Sequence, residues 1–140
     1  MIYLDTSAAV PLFVPEPSSE RVVEWLSSCT AALASSDWIL TEFASALSIK
    51  VRRGELTQKH ARASWDEFEA FSRTGIRLVP VTRAAFIRAA ELVRGSRSPL
   101  RAGDSLHLAV AVEIGATAMA TVDGQLERSA TAHGIAIERL

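Results

Sequence analysis

At 140 residues, 49% of them apolar and 22% charged, the chain suits one domain with a core large enough to need neither a disulfide nor a structural metal, and it is too apolar to be disordered. A lone cysteine, Cys29, excludes an internal disulfide and fits a reducing cytoplasm, while a formal net charge of −1 argues against a bulk polyelectrolyte binder. The longest apolar stretch, residues 106–122, is broken by His107 and Glu113, and the opening MIYLDTSAAV lacks a basic leader, so neither a membrane span nor a secretory signal is expected.

In chain order, Ile2–Leu4 reads as a strand ended at Asp5, and Thr6 or Ser7 caps a short helix that Pro11, Pro15 and Pro17 interrupt. Ser19–Ser27 reads as a helix with Val22, Val23 and Leu26 inward, and Ala31–Ala34 as a weak strand. Asp37 opens a long helix to about Arg53, stopped by Gly54. Thr57 caps the next, in which Trp65, Phe68 and Phe71 recur at helical spacing before Gly75. Then follow a strand over Ile76–Val81, a helix over Thr82–Arg94 and a loop over Gly95–Gly103. A helix starting at Asp104 or Ser105 is apolar nearly all round, which predicts burial. Ala118–Val122, Gly124–Ala132 and Ile135–Ile137 complete the chain as strand, helix and strand. Five strands alternating with about seven helices predict one α/β domain over residues 1–140 with a mainly parallel sheet.

Four acids fall where such a fold builds sites. Asp5 and Asp123 end strands one and four, Asp104 heads the apolar helix, and Glu42 lies one turn into the long helix after strand two. Ligands of open α/β sheets bind beyond the carboxyl ends of the strands, so all four acids can converge on one edge. Each also has a structural reading. Asp5, Asp104 and Asp123 can cap the helices that follow them. Glu42 borders the apolar face of Ile39, Phe43, Ala46 and Leu47, and the helix by itself leaves it solvated.

Asp5-Thr6-Ser7, Glu42, the run from Arg101 through Gly103-Asp104-Ser105-Leu106-His107-Leu108-Ala109, and Thr121-Val122-Asp123 together resemble the PIN domain, most of all the VapC-type ribonuclease toxins of toxin–antitoxin pairs. The resemblance spans Ile2 to about Ile137. It implies strand order 3-2-1-4-5, dependence on Mg²⁺ or Mn²⁺, endonucleolytic cleavage of RNA, a cognate antitoxin and a homodimer. None of the four acids departs from the family pattern.

The chemistry agrees with hard oxygen ligands. Mg²⁺ keeps several waters and takes one or two carboxylates directly. Asp5 and Asp104 are the expected metal ligands, with Asp123 and Glu42 holding coordinated waters or a second ion. Ser7 and Thr121 are expected to donate to the carboxylates. The cation would generate hydroxide from water and stabilise charge on the phosphate, leaving 5′-phosphate and 3′-hydroxyl ends. Four clustered acids should also repel one another when no metal is bound and raise at least one pKa. Seven arginines and one acid, Glu91, lie between Arg73 and Arg101, and Arg97 and Arg101, next to Asp104, are expected to grip RNA phosphates. Trp65, Phe68 and Phe71 are read as core, and so is His107, although it stands one turn from Asp104 and within reach of it.

Gly103-Asp104-Ser105-Leu106 also spells the GDSL esterase motif, but that motif normally follows the first strand and its oxyanion hole uses an Asn, which this chain lacks entirely. A phosphatase or receiver reading fails for want of a second acid beside Asp5 and of a suitably placed lysine, Lys50 and Lys59 being the only two. The remaining alternative is a PIN fold that binds RNA or serves as a scaffold without cutting.

Overall fold

A computed structural model describes residues 1–95 and 100–140. The elements in order are β1 (Ile2–Leu4), α1 (Thr6–Phe13), α2 (Ser19–Ser28), β2 (Leu33–Ser36), α3 (Trp38–Arg52), α4 (Gln58–Thr74), β3 (Arg77–Val79), α5 (Arg83–Gly95), α6 (Ala102–Glu113), β4 (Ala118–Ala120), α7 (Gly124–Ala132) and β5 (Ala136–Ile137). The strands form one five-stranded sheet in the order β3-β2-β1-β4-β5, and every pairing is parallel. The expected topology is therefore present, with β1 at the centre.

Period-two alternation in the short strands divides the core between the two faces. Ile2, Leu4, Leu33, Ala118 and Ala120 point to one face and pack with Val22, Trp25, Phe43 and Phe68. Tyr3, Val79 and Met119 point to the other and pack with Ala85, Ala89, Leu108 and Leu126. Helix α6 is buried from Ser105 to Ala111, as its apolar circumference predicts. Of the α4 aromatics Phe68 is buried in the core, with Trp65 and Phe71 partly buried against it: Phe68 stacks on Phe43 with ring centroids 4.0 Å apart, and Phe13 meets both edge-on. This cluster ties α1, α3 and α4 into one layer.

Several boundaries differ from the sequence reading for identifiable reasons. Pro11 lies inside α1 and does not break it; the helix continues to Phe13, ahead of Pro15. Strand β2 is displaced two residues, to Leu33–Ser36, because its partner register sets Leu33 opposite Ile2. In α2 it is Trp25 that is buried beside Val22, whereas Val23 is exposed; the indole also donates to Glu138 Oε2 at 2.9 Å. Helix α6 starts at Ala102 with Arg101 as its N-cap, so Asp104 stands in the first turn and not at the cap. Gly54, with φ +72°, ends α3 in the left-handed conformation that glycine adopts without steric cost.

Candidate active site

Parallel pairing brings the carboxyl ends of β1 and β4 together. Leu4 is in register with Ala120, and the Asp5 N–H donates to Ala120 O at 3.0 Å, so Asp5 and Thr121 leave the sheet side by side. Asp5 is buried and caps α1. Its Oδ2 accepts from the Ser7 N–H, from Ser7 Oγ and from Thr121 Oγ1 at 3.0 Å. Ser7 and Thr121 thus fix one carboxylate oxygen and leave Oδ1 facing His107 Nε2.

Asp123 caps α7: its Oδ1 accepts from the Gln125 and Leu126 N–H groups at 2.7 and 3.1 Å. Capping and a place in the site are therefore compatible, because a carboxylate has two oxygens. Asp123 Oδ2 receives Arg101 Nη2 at 2.6 Å, and the same guanidinium donates through Nε to Asp104 Oδ2 at 3.2 Å. Burial raises the Asp104 pKa; the Arg101 charge opposes this, and the charges of Asp123 and Asp5 add to it. The expected repulsion among the acids is thus present, and Arg101 offsets part of it.

Glu42 is not the solvated residue that its helix taken alone suggests. Its Oε2 accepts from Thr6 Oγ1 at 2.7 Å and lies 2.7 Å from His107 Nε2. Burial pushes its pKa up, but the His107 bond and charge and the Thr6 bond outweigh that and lower it. The approach of α6 to α3 depends on Gly103: a Cβ there would collide with Glu42 Oε1, and Trp38 Nε1 lies 3.4 Å from the same point.

His107 is fully buried and bonds not to Asp104 but to residues distant in sequence. Nδ1 is 2.8 Å from the Tyr3 hydroxyl, which reaches Ser36 Oγ at 3.1 Å; Nε2 faces Glu42 and lies 3.5 Å from Asp5 Oδ1. Burial alone would lower its pKa. Tyr3, the Glu42 hydrogen bond and the charges of Asp5 and Glu42 prevail, and the ring is pushed up to about 10. The shift favours the charged ring at neutral pH, with Nε2 turned to both carboxylates and Nδ1 to Tyr3; nothing local to α6 reveals these partners.

Among the described residues, Asp5, Glu42 and His107 offer ligand atoms within 4.8 Å of one another. Asp5 and Glu42 are the oxygen donors of that group, and both His107 ring nitrogens are already hydrogen-bonded. Asp104 and Asp123 add two more carboxylates joined by one guanidinium, a cation already seated between acids. Hard oxygen donors, partly buried, suit a small divalent cation. Arg97 lies outside the described residues. Arg73, Arg77, Arg83, Arg88 and Arg94 are exposed, and Arg73 pairs with Glu69 at 3.0 Å.

An all-parallel sheet with carboxylates assembled past the ends of β1 and β4 defines an α/β protein with an acidic site at its central strands. The PIN domain family model matches residues 2–131, and the chain belongs to that family. Among solved structures it is similar to the toxin VapC20 of Mycobacterium tuberculosis, which cleaves the Sarcin-Ricin loop (TM-score 0.76, 23% identity, all of both chains covered). It is also similar to FitAB, in a structure bound to the IR36 DNA fragment (TM-score 0.69, 23% identity, 99% of this chain and 94% of that one). A third is VapBC2 of Rickettsia felis, bound to a fragment of its promoter DNA (TM-score 0.68, 20% identity, 99% and 98% covered). These likenesses show the shared fold. No curated protein sequence matches the chain significantly.

Proposed function

We propose that this single PIN domain is a metal-dependent endoribonuclease, the toxin of a VapC-type toxin–antitoxin pair, working in the cytoplasm with RNA as substrate and a cognate antitoxin and a second copy of itself as partners. What supports the reading is two acid clusters from separate elements beyond β1 and β4, Asp5 with Glu42 around His107 and Asp104 with Asp123 around Arg101. Family membership and the resemblance to toxin structures, two of them solved with DNA, support the biological setting.

Asp5 and Asp104 are the proposed ligands of Mg²⁺ or Mn²⁺, with Glu42 and Asp123 completing the anionic wall. When bound, a divalent cation supplies a water of lowered pKa and neutralises charge on the phosphate. The chain's own groups do the rest. Ser7 and Thr121 orient Asp5, Thr6 and His107 orient Glu42, and the Asp123–α7 cap fixes Asp123. Arg97 and Arg101 are the proposed phosphate contacts. Fragments then carry 5′-phosphate and 3′-hydroxyl ends. A non-cutting RNA-binding role has no comparable support, since oriented carboxylates repel RNA unless a cation joins them.

Asp5→Asn, Glu42→Gln, Asp104→Asn and Asp123→Asn each remove one charge at nearly constant shape. Each is expected to lower Mn²⁺-dependent RNA cleavage by more than about 100-fold, with the far-UV dichroism of the native fold retained. Wild-type turnover in the Asp5 or Asp104 variant would refute the assignment.

A further inference from the structure

The carboxylate oxygens that face the site are already spoken for on one side of it. Asp123 commits Oδ1 to the N-terminus of α7, which leaves Oδ2; that oxygen and Asp104 Oδ2 are the two atoms the Arg101 guanidinium holds, at 2.6 and 3.2 Å. The acid side chains are only 16% and 18% exposed, whereas Arg101 is 74% exposed, so the guanidinium closes the pair from the solvent side. Its backbone is the N-cap of α6, and no side-chain cap bond ties it to the helix. An ion pair so exposed is weak and yields readily to a competitor. On the other side of the site the positive charge is built differently: His107 is buried and hydrogen-bonded at both ring nitrogens, and cannot leave without disturbing Tyr3 and Thr6.

We propose that Arg101 is an exchangeable internal counter-ion: it neutralises Asp104 and Asp123 in the metal-free protein and competes with the divalent cation for the same oxygens. The proposal rests on the metal-site reading above and adds to it a competitor within the chain. A competitor held by so exposed a pair weakens metal binding only by the strength of that pair, so deleting it strengthens the metal by up to about fivefold. The displaced fork, still anchored at the head of α6, becomes free for a phosphate oxygen.

The test is titration of the full chain with Mn²⁺ alone, without RNA, by calorimetry, together with melting temperatures in chelator and in saturating Mn²⁺. Arg101→Ala is expected to bind Mn²⁺ about two- to fivefold more tightly than wild type and to gain more melting temperature from the metal. Arg101→Lys, which keeps the charge but cannot bridge both acids in one plane, falls between. Arg128→Ala, which removes an α7 charge that forms no ion pair with either acid, binds as wild type does. Unchanged or weaker binding in Arg101→Ala, or equal tightening in Arg128→Ala, overturns the exchange while leaving the metal site standing. Equal Mn²⁺ binding by wild type and Asp104→Asn overturns the metal site at Asp104, and the exchange with it.

Discussion

His107 shows how a buried charge is tolerated and what it contributes. A lone imidazolium in the core would be costly, but here Glu42 stands 2.7 Å away, Asp5 3.5 Å away, and Tyr3 occupies the opposite nitrogen. The folded-state pKa is near 10 against 6.5 for the free ring. A group raised on folding contributes its full stability below the unfolded pKa and loses it as pH rises through the folded one. Melting temperature in chelator is therefore expected to fall as pH is raised from about 6.5 towards 10, and this fall is expected to flatten in His107→Gln. An identical slope in both proteins would show that the ring is neutral in the fold. At this scale the sequence is informative about residues whose place depends on the chain around them. Asp5 and Asp123 are readable because they end strands and begin helices, and Ser7 and Thr121 because they neighbour those acids. His107 is legible as a satisfied core histidine, but its partners, like those of Glu42, are not, because a helical wheel describes one helix and their surroundings come from β1, α1 and each other. Arg101 is recognised as basic and near Asp104, but its bond to Asp123 crosses 22 positions and is invisible to local spacing.

Elements bring these residues together through two close approaches. On one face the stack of Phe43 on Phe68, with Phe13 edge-on, holds α3 at a fixed height on α1 and α4, and so sets where Glu42 emerges. The helical spacing of Trp65, Phe68 and Phe71 makes that layer legible in sequence. The other approach, of α6 to α3, is not legible, since a glycine in a loop-to-helix junction looks like a cap or a turn. Its reason is steric: Gly103 leaves room for the Glu42 carboxylate. Gly103→Ala adds a methyl group that collides with Glu42 Oε1, the movable end of a flexible side chain. Glycine-to-alanine replacement in a helix favours folding by about 0.5–1 kcal/mol, which offsets the crowding. The expected outcome is a melting temperature little changed and cleavage lowered by about 10- to 100-fold. Loss of both together would mean that Gly103 serves packing and not the site.

For the molecule as a whole, parallel order is what brings four weakly informative acids to the same edge of the sheet. A sheet ordered β3-β2-β1-β4-β5 sets the strand that ends at Asp5 beside the strand followed by Asp123, and places the helices bearing Glu42 and Asp104 over the same edge. That order follows from alternating strands and helices together with family resemblance; periodicity by itself predicts only a mainly parallel sheet. The arginines from Arg73 to Arg94 are all exposed and make one basic stretch of the sequence in a nearly neutral chain. Two chemical routes to RNA cleavage leave different ends. Attack by the 2′-hydroxyl relies on paired acid–base groups and yields a cyclic phosphate and a 5′-hydroxyl. Here the buried histidine has both ring nitrogens engaged inside the core, and oriented carboxylates dominate the site, which favours water as nucleophile. The decisive measurement is the typing of RNA fragments released with Mn²⁺ and with excess EDTA, using a 5′-phosphate-dependent exonuclease and a poly(A) polymerase. Fragments that the exonuclease digests and the polymerase extends, formed with Mn²⁺ and absent with EDTA, are the expected result; cyclic phosphate ends, or cutting that persists in EDTA, would contradict it.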